Sequence, residues 1–367
     1  MRPARAAVLT APGEPFAVQE IGVEDPRGTE VLVRMTATGL CHTDLGVRFG
    51  GLPFPHPGVI GHEGAGVLEA VGDAVTDLVP GQKVILSYTS CGHCAACDGG
   101  RPAYCRTWQK LNLFAGARDD GTSPLSRDGV PVAGHFFGQS SLAEYAVADA
   151  RCVVPVPDDA DLTVLAPLGC AVVTGFGAVR SVLSVREGTS LAVLGTGAVG
   201  LNAVRAADLA GADPIIGVDV VPERLDLARE LGATHTVDAR SPGLPARLAG
   251  ITGRRGLVNV LDTTGVPDVV RTGLDALGVE GTLALCGAPP PGTEFAVDIQ
   301  SMLVGRRIVG MTMGDSVPSD LVPRLVALHA EGRLPLERLV RHYSLDEIEQ
   351  AVTDMHTGRT VKPVVVF

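Results

Sequence analysis

Four cysteines inside fifteen residues, Cys91-x2-Cys94-x2-Cys97-x7-Cys105, are the densest chemical signal in the sequence. A tight knuckle with this spacing turns all four thiols inward, and four thiolates at the corners of a tetrahedron make a closed zinc site. A closed shell leaves no position for substrate, so this zinc is expected to be structural and the lobe to depend on it for folding. A second set of donors is scattered. Cys41, His62 within Gly61-His62-Glu63-Gly64-Ala65-Gly66, and Cys170 offer two thiolates and one imidazole. Zinc accepts that set in catalytic sites, where its fourth position stays open for water or substrate. Only folding can bring these three together.

A third pattern reads as nucleotide chemistry. Ser190 to Leu194 is a buried strand, Gly195-Thr196-Gly197-Ala198-Val199-Gly200 follows it directly, and Leu201 to Leu209 is helical. Gly-x-Gly-x-x-Gly between a strand and a helix lets the backbone approach a pyrophosphate at a helix N-terminus. The next strand, Ile215 to Val218, ends at Asp219, where a carboxylate accepts from the adenosine ribose hydroxyls. A negative charge there repels a 2'-phosphate, so NAD is expected rather than NADP.

The elements that must carry these groups divide the chain. Up to about residue 90 the sequence shows short β segments between turns, such as Val31 to Val33, Gly66 to Leu68 and Gly81 to Leu86, and predicts a small β-rich barrel. Residues 106–134 read as loop. Phe136 and Phe137 then lead toward Cys170 in a chain with only 4% aromatic residues. They either wall an apolar substrate pocket, together with Tyr88, or belong to the core. Beyond Pro157 strands and helices alternate through Arg307 to Val309, which predicts a doubly wound sheet of six parallel strands. Two helical stretches, Leu321 to His329 and Leu345 to Met355, and a final strand at Lys362 to Val366 are expected to return to the first domain.

Composition narrows the class. A chain of 367 residues with 46% hydrophobic residues and 46 glycines suits two tightly turned α/β domains. A net charge of -11 argues against nucleic acid or an anionic membrane as partner. No signal-peptide core or run of about 18 apolar residues occurs, so a cytoplasmic protein with reduced thiols is expected.

In this order, the Gly-His-Glu stretch, the four-cysteine lobe and the dinucleotide fingerprint resemble the zinc-dependent medium-chain alcohol dehydrogenases over essentially the whole length. Phe137-Gly138-Gln139-Ser140-Ser141 and Pro167-Leu168-Gly169-Cys170 resemble the bacterial aryl-alcohol (benzyl-alcohol) branch. The resemblance implies a β-rich GroES-like catalytic domain over residues 1–171 and 315–367, with the structural zinc lobe at about 91–105. It implies an NAD-binding Rossmann domain over residues 172–314. Two zinc ions per subunit are implied, one on Cys41, His62 and Cys170 and one on Cys91, Cys94, Cys97 and Cys105. Asp44 matches the carboxylate that supports the histidine ligand, Glu63 the acid beside the metal, and Thr43 the hydroxyl that hydrogen-bonds the substrate oxygen. His42 and Lys362 match basic residues on the cofactor pyrophosphate, and Arg224 one beside the adenosine ribose. One position departs from the pattern: the best-known animal members end a proton relay at a histidine where this chain has Gly46. The implied activity is interconversion of a primary, aromatic or allylic, alcohol and its aldehyde in a homodimer or homotetramer. A thiol-dependent formaldehyde dehydrogenase or a polyol dehydrogenase of the same family is the alternative.

Overall fold

The longest strand, Glu30–Gly39, is buried on both faces along most of its ten residues and draws partners to both of its edges. Glu63–Val71 pairs with it antiparallel from Val31↔Val71 to Gly39↔Glu63. On the other edge it pairs first with Tyr145–Asp149 and then with Lys362–Val366, where Val364 lies opposite Gly39. This register decides where the chemistry sits. With Gly39 opposite Glu63, the residues just past one strand and just before the other, Cys41 and His62, emerge at the same end of the pair. Lys362 is brought to that end by the C-terminal strand.

The computed structural model describes residues 1–367 and divides into two units, Met1–Cys170 with Val317–Phe367, and Ala171–Ser316. The boundaries fall one residue before and two residues after those expected. In the first unit a seven-stranded sheet built around Glu30–Gly39 accompanies a five-stranded one in which Arg2–Leu9 and Ala17–Val23 are central. Residues 106–134 are not all loop. Leu125–Arg127 and Val130–Val132 form a hairpin across Asp128-Gly129, both in the left-handed region, and extend the five-stranded sheet. Asp-Gly between short β segments is a strong hairpin signal.

The second unit holds six parallel strands in the spatial order His235–Asp238, Ile215–Asp219, Leu191–Leu194, Leu257–Asp262, Leu277–Leu285 and Arg307–Gly310. A parallel sheet covered on both faces needs continuous apolar strands. Ala192, Leu194, Ile216, Val218, Val260 and Leu283 supply them, all at 1% exposure or less. The helix Pro267–Asp275 stops short of Leu277, which already belongs to the next strand. Leu244–Ile251 is a further helix, hidden in the sequence by Pro242-Gly243 and Pro245 but anchored by buried Leu244 and Leu248. No single helix is long and apolar enough to cross a membrane.

In the first unit an ionic cluster joins Arg118 to Glu24 and Glu30. Glu30 is 9% exposed, and its two oxygens accept from Arg118 Nε at 2.7 Å and Nη2 at 3.0 Å. Arg118 also reaches Glu24 at 2.7 Å. Burial pushes the Glu30 pKa up, but the His135 imidazole, the Arg118 guanidinium and the Arg27 amide outweigh it and hold the carboxyl at about 2. A depressed carboxylate pKa contributes stability that is present above the ordinary value and lost as pH falls through the folded one. Urea unfolding of Glu30→Gln is therefore expected to show a loss of about 3 kcal/mol at pH 7 that narrows between pH 4.5 and 2. A pH-independent difference between the two proteins would remove Glu30 from this role.

Candidate metal centres and dinucleotide loop

Cys41 stands at the N-cap of the helix His42–Arg48, and its backbone N–H donates to Asp44 Oδ2 at 2.9 Å. The other oxygen of Asp44 lies 3.0 Å from His62 Nδ1. One fully buried carboxylate thus closes the helix and orients the imidazole. With Nδ1 committed to Asp44, Nε2 is the ring atom left to face another group, and this buried atom has no hydrogen-bond partner. Donor atoms of Cys41, His62, Glu63 and Cys170 all lie within 4.8 Å of one another.

The electrostatics call for a cation. Burial opposes a charge on His62, but Asp44 and the Cys41 sulfur raise its pKa to about 10, so without a metal the ring holds a proton that a zinc ion would displace. A hydrogen bond from Cys170 holds Cys41 well below the usual thiol range, and the same contact pushes Cys170 well above it, so two sulfurs share one proton. An orphaned imidazole nitrogen facing two such thiols is a donor set that fits zinc. Thr43 Oγ1 is 3.8 Å from Cys41 Sγ, beside the same cluster.

Lys362 is not a surface charge and is not free for a phosphate. It is 2% exposed, and its Nζ donates to both oxygens of Glu63, at 2.9 and 3.0 Å, and to Leu40 O at 3.1 Å. An ammonium has three donors, and all three are engaged. Burial works against its charge, but Glu63 and the neighbouring thiols hold its pKa above the usual range. The expected pyrophosphate contact would require breaking this pair. His42 is exposed.

Phe136 is fully buried and offers a ligand no surface, because its ring is spent on Phe54 and His62, 5.2 and 5.7 Å away between centroids. Phe137, 3% exposed, stacks on His62 at 4.4 Å and meets Trp108 edge-on. Tyr88, 2% exposed, packs toward Trp108. The aromatic cluster backs the imidazole instead of forming an open wall. Beyond it, Phe54 lines an apolar groove of about 420 Å³ together with Pro12, Leu52, Pro53, His56 and Phe114. Leu52 packs over Gly46: a Cβ there would lie 3.0 Å from the leucine side chain, which would have to shift slightly for a larger residue to enter.

In the four-cysteine lobe all sulfurs lie within 4.8 Å of one another. Cys94 and Cys97 are 3.6 Å apart and Cys91 and Cys97 4.0 Å, close to the edge of about 3.8 Å of a tetrahedral zinc–sulfur site. Backbone N–H groups face the sulfurs, Cys91 N to Cys105 Sγ at 3.2 Å among them. Amides of Arg106 and Cys97 pull Cys94 down to about 6. This lobe too fits a zinc ion.

In the second unit the fingerprint has the shape that a pyrophosphate needs. A Cβ on Gly200 would collide with Gly195 O, and around Gly197 there is open space. The helix Ala198–Leu209 begins with no side chain capping its amides. Asp219 does more than wait for a ribose. Oδ2 accepts from Thr196 N at 2.7 Å and Thr196 Oγ1 at 3.1 Å, and Oδ1 from Val220 N at 2.7 Å and Val221 N at 2.9 Å. These bonds fasten the fingerprint loop to the second strand. Arg224, near the start of Pro222–Glu230, keeps a buried Nε without a partner. The residues present fit a dinucleotide.

Two residues without a chemical signature of their own belong to the site, Gln139 and Ser87, whose buried hydrogen bonds run between the ligand-bearing segments. Only their pairing in space reveals them.

Residues 27–158 match the family model described as alcohol dehydrogenase GroES-like domain, and residues 198–331 match zinc-binding dehydrogenase. The geraniol dehydrogenase of Castellaniella defragrans is 41% identical over 99% of this chain and 98% of its own length. Among solved structures, an alcohol dehydrogenase zinc-binding domain protein from Burkholderia ambifaria is 49% identical, with TM-score 0.97, and the match covers 100% of this chain and 99% of the other. The benzyl alcohol dehydrogenase of Acinetobacter calcoaceticus is 41% identical, with TM-score 0.96, over 100% of both chains.

Proposed function

The chain belongs to the zinc-dependent medium-chain alcohol dehydrogenases, and from that premise we propose that it interconverts a primary allylic or aromatic alcohol and its aldehyde, with NAD as the hydride acceptor. The observation that carries the chemistry is the partnerless His62 Nε2 facing Cys41 and Cys170. When bound, zinc supplies Lewis acidity to the alcohol oxygen and the nicotinamide takes up the hydride. Asp44 fixes the His62 tautomer and ring. Lys362 holds the Glu63 carboxylate back by an ion pair, which leaves the three neutral or thiolate donors to the metal. Thr43 receives the alcohol proton and passes it to solvent, since Gly46 offers no imidazole. Phe136 and Phe137 keep water from the back of His62.

The substrate class is supported by the relatives: those named for geraniol and for benzyl alcohol each share 41% of their residues with this chain. NAD is favoured by the charge of Asp219. Rates of nicotinamide reduction with geraniol, benzyl alcohol, a polyol and a thiol–formaldehyde adduct test the reading. The first two are expected to give the highest kcat/KM; preference for the polyol or the adduct would overturn it.

We also read the protein as a homo-oligomer acting on small molecules and not on nucleic acid, given its net charge of -11. Val279, Ile299 and Leu303, each more than 70% exposed in the second unit, are apolar side chains that contact between copies would cover. Light scattering that shows a dimer or tetramer is expected, and a monomer would exclude it.

A further inference from the structure

The turn His135 to Ser141 has an improbable backbone. His135, Phe137, Gly138 and Ser140 have φ of 62°, 53°, 70° and 52°, and three of these residues carry side chains. Each such residue costs on the order of 1 kcal/mol, and the conformation persists only where surrounding contacts over-determine it. Here those contacts lead to all three segments that end in the metal ligands.

The Phe137 ring lies on His62. The Ser141 hydroxyl is 2.8 Å from Thr38 Oγ1, in the strand that runs into Cys41. Ser140 Oγ accepts from Phe136 N at 2.9 Å and donates to Val59 O at 2.6 Å, bracing the turn from within. At the centre is Gln139, 1% exposed. Its Oε1 accepts from Gly64 N at 3.0 Å, and its Nε2 donates to His62 O at 3.0 Å and to Ser87 O at 2.7 Å. Ser87 Oγ donates in turn to Gly169 O at 2.6 Å, one residue before Cys170. The amide has both protons and its oxygen in use, so a buried polar group is fully satisfied. Position 64 is shaped for it: a Cβ there would come 2.9 Å from Gln139 Oε1 and 2.8 Å from Ser141 Cβ.

We propose that Gln139 is a positioning residue for the catalytic zinc, tying the His62 backbone through Ser87 to the backbone that carries Cys170. This rests on the reading of Cys41, His62 and Cys170 as the catalytic set. The link fixes the separation of two ligands that lie more than a hundred residues apart in the chain, before any metal binds. Partners behind metal ligands typically change affinity by about 10–100-fold when lost.

The test is zinc release to a chelator, read together with the visible spectrum of the cobalt(II)-substituted protein, for Gln139→Met, Gln139→Glu and Ser87→Ala. Leu248→Ala, a core truncation in the other unit, serves as the control for plain destabilisation. Both Gln139 variants lose the two N–H donors. They are expected to release one zinc about ten-fold or more faster than the control, to shift the cobalt band, and to lower kcat with little change in KM for NAD. The zinc of the four-cysteine lobe should be retained at the wild-type rate. Release no faster than from Leu248→Ala, with an unaltered cobalt band, would overturn the proposal. Should the Gln139 variants fail to fold, Ser87→Ala removes only the hydroxyl on Gly169 O; faster release of the same zinc supports the link, and wild-type release and spectrum overturn it. A wild-type chain that holds metal only in the four-cysteine lobe would instead sink the reading of the catalytic set.

Discussion

His62→Ala is expected to lower kcat/KM for geraniol by at least ~10³-fold, because the several kcal/mol of charge stabilisation that a Lewis acid supplies disappears with its imidazole ligand. The same change should leave the NAD dissociation constant almost untouched, since the fingerprint lies in the unit Ala171–Ser316, which has its own core. Cys41→Ser is the gentler version. The backbone N–H of residue 41 can still donate to Asp44, so the helix His42–Arg48 keeps its start while the thiolate is lost. Both variants should retain the four-cysteine zinc, and each should hold less metal than the wild type. Steady-state rates beside a fluorescence titration with NAD separate the two effects. Substantial activity in either variant would refute the site.

Asp219→Gly is expected to raise the preference for NADP over NAD by about 10²-fold, because a like charge facing a 2'-phosphate costs several kcal/mol. Absolute affinity for both dinucleotides should fall. Thr196, Val220 and Val221 would lose the acceptor of their backbone N–H groups, and the loop that must meet the pyrophosphate would lose its tether. Asp219→Asn keeps one acceptor oxygen and should weaken binding less while shifting preference in the same direction. Dissociation constants for the two cofactors measure both quantities. An unchanged NAD-to-NADP ratio would take specificity away from Asp219, and an unchanged affinity for both would show that its four hydrogen bonds do not matter.

The parts of this molecule that were legible in the sequence are those whose information is local. Cys91 to Cys105 is a spacing rule, and the Gly195 to Gly200 loop announces itself by the strand before it and the helix after. The six parallel strands follow from apolar runs at regular intervals. Cys41, His62 and Cys170 were legible as a set only because zinc accepts few donor combinations and because the resemblance gave their order. Lys362 is assigned to the pyrophosphate by resemblance alone, and its pairing with Glu63 was not legible, because only the register Val364↔Gly39 shows that its strand delivers it there. Phe136 could have been core or wall by composition alone, and its contacts with Phe54 and His62 settle that it is core. Gln139 left no trace beyond a polar residue in a short motif, since a buried amide is recognised by what it joins. The hairpin at Asp128-Gly129 was legible and overlooked in a stretch dense with turn residues.

Metal content measured against turnover tests the central claim most directly. Zinc should be found at two per chain, and stepwise chelation should abolish alcohol oxidation as the first equivalent leaves, while the protein stays folded and the second equivalent remains in its four-sulfur lobe. A folded chain stripped of all metal that still reduces NAD with geraniol at the original rate would contradict it.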